Sequence, residues 1–599
     1  MKKFIYTIIL LVIIGTVNLC IIHKQNDHNA DAKYVEIINE YILNENGSID
    51  FIHHHKVKLN TYYAIRYLGD DRITYNPKYQ KMEIIKSETK MNDGTFVPTP
   101  ENGYNEVLPR CATKAPSYNH LREMVVTHTG LDIGSVIDFK YSIHTKKDFL
   151  PNLMGEEIFA NFYPIKKMTV KITIPADKNL NYELFNSTKK VKVKENESTK
   201  TFTWKFENIP TVVHESNQSE IGEFSSRLVF STLKSWEALS EYLKSLTEKS
   251  MKIDKKLKTE IKDDLSDETD DLMKIITAQK NINENVGTTT CSPAIYGYKP
   301  KSVRKTFYEN NGTAFDKSLL LSSYLKFADV KATPIFVSKY NNFSNKVPSL
   351  LQFDNFIVLS KDSSGKIYLN PIHEQKNNYS FNIGDKTIFD FNNETKTLTK
   401  IQKNNEYKHG QKIILNLNLE NDLTLKGDYK LIYSGIYNPY YELYENEENV
   451  KKVMNEIIDG TKIDSAECLK MNQYESIIDV KLSSDDTLKI KNDYIRWKLP
   501  QLSQSFNNRK ISVAQTKRQT PLYLENDFCE NYTININLPN SIKCINPDTS
   551  INIENKIGIV NIEFQNEKNK ITVKRKLFVN KSVILPINYK LFRNLIVIW

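Results

Sequence analysis

The sequence predicts an α+β multidomain chain, strand-rich at both ends and mixed in the middle. Three observations predict it. At 599 residues, 40% of them hydrophobic, the chain is long enough to build several packed cores. Segments that alternate apolar and polar residues, bounded by turn residues, crowd both ends, whereas helical periodicity is concentrated in the middle. The domains then run 33–226, a β-sandwich; 232–400, an α+β domain with leading helices; and 405–599, a second β-sandwich.

Residues 1–22 precede all three. Met1-Lys2-Lys3, the apolar run Phe4 to Ile14 and then Gly15-Thr16-Val17-Asn18-Leu19-Cys20 have the charged and apolar regions of an export signal. The segment is a signal peptide or a retained anchor, because Phe4 to Ile22 is long enough to span a bilayer. Cys20 is a candidate for lipid attachment, although the large Leu19 stands where a lipoprotein signal has a small residue. The expected location is periplasmic or cell-envelope associated, with membrane contact only through this segment. The net charge of +10 comes from 82 basic and 72 acidic residues spread along the chain, without the basic stripe and stacking aromatics of a nucleic-acid binder. Nucleic acid is excluded as a partner.

In the first domain, Tyr34 to Leu43 and Phe51 to Leu59 read as strands joined at Asn46-Gly47, a strong turn signal. Ser135 to Ile143 and Lys167 to Pro175 repeat the alternation. On a strand His53 and His55 share one face and His54 points away, so two of the three could chelate a metal. No Asp, Glu or Cys cluster accompanies them at ligand spacing, and no metal or other cofactor is expected. Helices follow. Trp236, Leu239, Leu243 and Leu246 form one stripe, and Leu272, Ile275, Ile276, Gln279 and Ile282 another, around a charged stretch from Lys252 to Asp264 that reads as a helix or linker.

The central motif begins at Asn311-Gly312-Thr313-Ala314-Phe315-Asp316-Lys317. Thr313 and Asp316 have the spacing of a capping box, which starts a helix at Ala314, and the apolar residues from Phe315 to Phe327 make that helix apolar nearly all round, hence buried. Strands follow at Lys331 to Val337, from Phe353 to Val358, and up to Tyr368-Leu369-Asn370-Pro371. Asn355 is expected in phase with Phe353 and Ile357, and Asn370 with Tyr368. Beyond them come strands at Lys412 to Leu419 and Lys430 to Ser434, an amphipathic helix near Glu447 to Ile458, and alternating strands at Tyr532 to Leu538, Gly558 to Phe564 and Lys570 to Val573.

The cysteines outside the signal, Cys111, Cys291, Cys468, Cys529 and Cys544, are odd in number and scattered, which is neither a disulfide framework nor a metal site. Cys529 and Cys544 are candidates for a bridge between neighbouring strands, and Cys291 is expected to be an inert packed thiol.

The helix-strand-strand layout from Asn311 to Pro371 resembles the bacterial transglutaminase-like domain, of papain-like architecture. Its motif places a Cys at the helix start, a His on the next strand and an Asp before a Pro on the strand after that. The matching positions here are Ala314, Asn355 and Asn370. Gly130 to Tyr141 and Phe162 to Lys167, ahead of Ile174-Pro175, are similar to the β-rich domain of unknown function that precedes such domains in exported bacterial proteins. The last strands, ending at Asn588 to Asn594, are similar to the family's C-terminal β-domain.

A thiol at a helix N-terminus is favoured as thiolate, an imidazole exchanges its proton and a carboxylate orients the imidazole. Ala314 offers no nucleophile, and neither asparagine titrates near neutral pH. The resemblance therefore implies a catalytically inactive protein whose three positions line a binding or structural cleft, with an envelope peptide, glycan or protein as partner. The alternative is a cysteine-type amidase, peptidase or acyl transferase working through other residues, with Cys291 and His373 the pair to examine.

Overall fold

The computed structural model describes residues 30–362, 365–372, 383–393, 397–401, 409–438, 448, 450–451, 454, 462–472, 474–484, 487–496, 505–506 and 511–599. Strand (43%) outweighs helix (21%) and is divided among several sheets, so the chain is multidomain and strand-rich.

The N-terminal strands Ala32–Leu43 and Ile49–Leu59 form a hairpin, and Gly47 turns it with a φ of 83° that a side chain would oppose. Both lie inside an eight-stranded sheet. Ala32–Leu43 also pairs with Ile165–Pro175, and this pair is parallel. Alternation reveals that each strand has a buried face, but not the direction of its neighbour, so this crossing was not legible in the sequence. Two three-stranded sheets cover the large one. Phe230 and Leu228 of Arg227–Ser231 pack with Val170, Ile172 and Trp204, while Ile73 and Val126 of the other small sheet pack with Val57, Ile137 and Phe139.

In the centre, five helices begin at polar side chains that each accept a backbone N–H: Ser235 before Trp236–Ser250, Asp254 before Lys255–Asp264, Asp270 before Asp271–Asn285, Ser302 before Val303–Tyr308 and Thr313 before Ala314–Phe327. The charged stretch from Lys252 to Asp264 is thus mostly helix. Ala314–Phe327, hereafter the site helix, is the hub of this part. Its Leu319, Leu320, Leu321 and Leu325 are fully buried, between the four preceding helices and a five-stranded sheet. The sheet runs Gly365–Leu369, Phe353–Asp362, Ala332–Ser338, Thr387–Phe389, Leu398–Lys400.

At the C-terminal end the expected second sandwich takes the form of one eight-stranded sheet, with Gly410–Leu419 and Phe528–Asn537 paired in parallel at its middle. Ile413, Leu415 and Leu417 from one half share a core with Ile534, Ile536 and Leu577 from the other, and the terminal helix Tyr589–Ile598 adds Phe592 and Leu595 to it. The helix expected near Glu447 to Ile458 falls largely outside the described residues; Val450 and Met454, two of its inward positions, are buried in the same core.

Candidate functional site

The start of the site helix is built by local chemistry. The Thr313 Oγ1 accepts from the Asp316 N–H at 3.2 Å and Asp316 Oδ2 accepts from the Thr313 N–H at 2.9 Å, so the capping box read from the sequence is formed on both sides. Asp316 is fully buried and serves more than the cap. Its Oδ1 accepts the Lys301 N–H at 2.7 Å and its Oδ2 accepts the Tyr118 hydroxyl at 2.7 Å. Next to it Lys317 is also buried, its Nζ donating to the Val286 carbonyl at 2.7 Å and to Thr288 Oγ1 at 3.3 Å. With no carboxylate in that set, burial lowers the ammonium's pKa to about 8.

Ala314, half-buried, is the first residue of the helix. Around this helix start lies a loop from the N-terminal part, Pro109 to Leu121. Tyr118 from this loop stands edge-on to Tyr296 with ring centroids 5.7 Å apart, and the Tyr296 hydroxyl donates to Thr313 Oγ1 at 3.2 Å. Burial, and then the Asp316 carboxylate, raise both phenols well above their ordinary range, so each stays protonated and donates.

The loop is held covalently. Cys111 and Cys291 form a disulfide with Cα atoms 5.0 Å apart, which corrects the expectation that Cys291 is a packed free thiol. The 180 residues between the two hid the pairing, because linear spacing says nothing about spatial neighbours. Cys529 and Cys544 are not joined in a disulfide, and neither is Cys468, whose thiol's pKa is raised by burial. His373 and Cys20 lie outside the described residues.

Asn355 is the third residue of Phe353–Asp362, opposite Val337. The ladder slips by one between Ser338–Phe353 and Val337–Asn355, which leaves Asp354 as the extra residue of a bulge. The expected phase is therefore broken. Phe353 joins Phe356 and Val358 in the core beneath the site helix, whereas Ile357 belongs to a separate cluster with Ile335, Val337, Ile383 and Ile388. The half-buried Asn355 side chain donates from Nδ2 to Asp354 Oδ1 at 2.7 Å.

Asn370 follows the end of Gly365–Leu369, the strand paired with Phe353–Asp362. Its Oδ1 accepts the Ile372 N–H at 2.9 Å, closing a turn, and its backbone carbonyl accepts from Gln279 Nε2 at 2.7 Å. Since Val358 pairs with Leu369, the two asparagines belong to neighbouring strands and lie close along the ladder. Each side-chain amide bonds to a residue near it in sequence, and no hydrogen bond joins one amide to the other among the described residues. The three positions thus offer a methyl group and two carboxamides, which can orient a hydrogen-bonding group but not carry a proton through a reaction at neutral pH.

The histidine run obeys the strand alternation. His53 Nε2 and His55 Nδ1 are 3.0 Å apart, His53 Nδ1 meets Asn39 Oδ1 at 2.7 Å, and His54 on the opposite face meets Asp138 at 2.7 Å. The network continues to His128, 2.9 Å from Asp71, and to Glu157, which accepts from Asn39 and Tyr41. Among the described residues no group of His, Cys, Asp or Glu has the arrangement of a metal site, and no helix is long and apolar enough to cross a membrane.

The chain is similar to known proteins in three respects. A domain of unknown function, DUF3857, matches residues 45–213. A second, DUF3858, matches residues 494–599. A crystal structure from Parabacteroides distasonis ATCC 8503, described as that of a candidate protease, aligns with 94% of this chain and 96% of its own at 23% identity and a TM-score of 0.71. No curated protein matches. Residues 45–213 and 494–599 therefore correspond to the DUF3857 and DUF3858 domains, and the chain shares the fold of that crystal structure over nearly its whole length.

Proposed function

We propose that this chain is a transglutaminase-like protein without the reaction: an exported protein of the cell envelope, attached through its N-terminal segment, that binds or scaffolds a peptide, glycan or protein partner. The observation that carries this reading is Ala314 at the first position of the site helix, beside a helix start closed by Tyr118, Tyr296 and the Cys111–Cys291 disulfide. The disulfide supports it further, since a cysteine in a bridge is not a nucleophile. Asn355 and Asn370 supply hydrogen-bonding groups from neighbouring strands, as a binding role needs. The likeness to a protein described as a candidate protease is one of fold, and fold alone does not transfer an activity.

The test is a direct assay. The protein is expected to show no thiol-dependent amidase, peptidase or transamidase activity, and Cys291→Ala is expected to leave that unchanged. Activity abolished by Cys291→Ala would overturn the reading. The combined variant Ala314→Cys, Asn355→His and Asn370→Asp is the companion, with alkylation by iodoacetamide as readout. Faster alkylation at position 314 than in the single Ala314→Cys variant is expected if the frame still holds the three in register; equal rates would remove the support from register.

A further inference from the structure

We propose that the short helix Tyr62–Leu68 and the sheet end around it form a membrane-facing surface, with Tyr62, Tyr63 and Tyr67 seated among the headgroups of a bilayer. The proposal rests on the attachment through the N-terminal segment given above, and extends it from a tether to a docked face.

The helix is amphipathic in an unusual sense. Ala64 is buried and Ile65 and Leu68 pack on the core beneath, as an inner face should. The outer face of a surface helix is ordinarily charged or polar. Here it carries Tyr62, Tyr63 and Tyr67, which are 71%, 54% and 60% exposed, with the exposed Arg66 among them. The Tyr63 and Tyr67 rings lie 4.4 Å apart, one turn from each other, and so expose a continuous aromatic surface rather than scattered rings. Phe162, 44% exposed, adjoins Tyr163, which packs against the same core cluster as Ile65 and Leu68 of the helix. An aromatic body with a hydroxyl at its tip is the side-chain chemistry that concentrates where hydrocarbon meets water.

Where the chain leads in selects the occupant. Asn60 donates from its backbone N–H to the Asp31 carbonyl at 2.8 Å and from Nδ2 to the Ala30 carbonyl at 2.8 Å, and Thr61 Oγ1 donates to Asp31 Oδ1 at 2.8 Å. Thr61 is also the helix cap, accepting from the Ala64 N–H. Residues 30 and 31 are thereby fastened to the first turn of the tyrosine helix. The apolar run ends at Ile22, and residues 23–29 separate it from Ala30. Fully extended, that spacer reaches under about 30 Å. An apolar run embedded in a bilayer therefore keeps the tyrosines close to its surface, and the aromatic face lies at the tethered end of the domain. Exposed Lys58 and Lys166, on the strands paired with the first, stand near the same end.

The experiment uses the full chain in vesicles of phosphatidylethanolamine and phosphatidylglycerol with brominated acyl chains. Tyr63→Trp adds a reporter to the aromatic face, and Ile587→Trp adds one at a site that is 84% exposed in the C-terminal part. After subtraction of the native tryptophan emission, the Tyr63→Trp signal is expected to fall about twofold or more relative to unbrominated vesicles, and the Ile587→Trp signal to stay unchanged. If the chain floats with the vesicles and the two reporters are quenched alike or not at all, the docked face is overturned and the tether stands. If the chain does not float, the tether itself fails and the surface with it. A shift of the Tyr63→Trp emission maximum that soluble glycan strands cause and vesicles do not would assign the face to carbohydrate and overturn the proposal.

Discussion

Asp316 and Lys317 are adjacent, both buried, and charged in opposite ways to opposite effect. The Asp316 carboxylate gathers donors from its own cap, from Lys301 and from Tyr118, so its desolvation is offset by hydrogen bonds. Asp316→Ala leaves those donors without an acceptor and is expected to destabilise the protein by about 3 kcal/mol, measured by urea unfolding. Lys317 has only neutral oxygens. Its pKa is lowered from 10.5 to about 8, so between those values an unfolded chain keeps a proton that the folded one has released. Stability therefore rises with pH across this window through this group, by at most about 3 kcal/mol. Unfolding of the wild type and of Lys317→Met at pH 7.5, 9 and 10.5 measures it: the wild-type gain with pH should exceed that of the variant.

Among the elements, the histidine strand and the loop around the site helix invite tests of different kinds. Burial first, and then the neighbouring His55, lower the pKa of His53 from 6.5 to about 3. An unfolded chain takes up this proton near 6.5 and the folded one does not, so this group's contribution to stability is lost as pH falls from 6.5 towards 3. His53→Gln is expected to flatten the acid limb of a stability profile followed by circular dichroism. For the loop, reduction of Cys111–Cys291 is expected to free the backbone beside the exposed Arg110 and Lys114, so that trypsin cleaves there several times faster than in the oxidised protein. Cys111→Ser should behave like the reduced form.

The same elements mark what the sequence revealed. Thr313 and Asp316 announced the helix start because a cap is decided within four residues. Asn355 was misphased because a bulge at Asp354 is set by the partner strand, which period-two counting ignores. The parallel pairing of Ala32–Leu43 with Ile165–Pro175 and the Cys111–Cys291 bridge escaped for one reason: both join segments more than a hundred residues apart, and local pattern carries no record of what lies across the gap.

At the scale of the molecule, the N-terminal and C-terminal parts meet directly. Glu215, buried just beyond the large N-terminal sheet, accepts from the Thr520 N–H at 2.8 Å, from Thr520 Oγ1 at 2.6 Å and from the Gln519 N–H, with Arg518 Nε 3.7 Å away. Ser219 and Tyr523 add backbone hydrogen bonds across the same seam. Glu215→Ala removes the acceptor and leaves Arg518 buried without its carboxylate, a change expected to cost about 3–5 kcal/mol. Calorimetry should then show the C-terminal part melting ahead of the rest, where the wild type holds the two together.

The Cys111–Cys291 bridge also sets an order in time. A growing chain presents Cys111 long before Cys291 exists, and the last strand of the N-terminal sheets, Arg227–Ser231, is made in the interval. The bond can close only after that part is complete and the turn before the site helix has been synthesised. Closure thus records that two separately folded regions have met in the right place, and a chain halted short of residue 291 carries an open thiol as the sign that they have not.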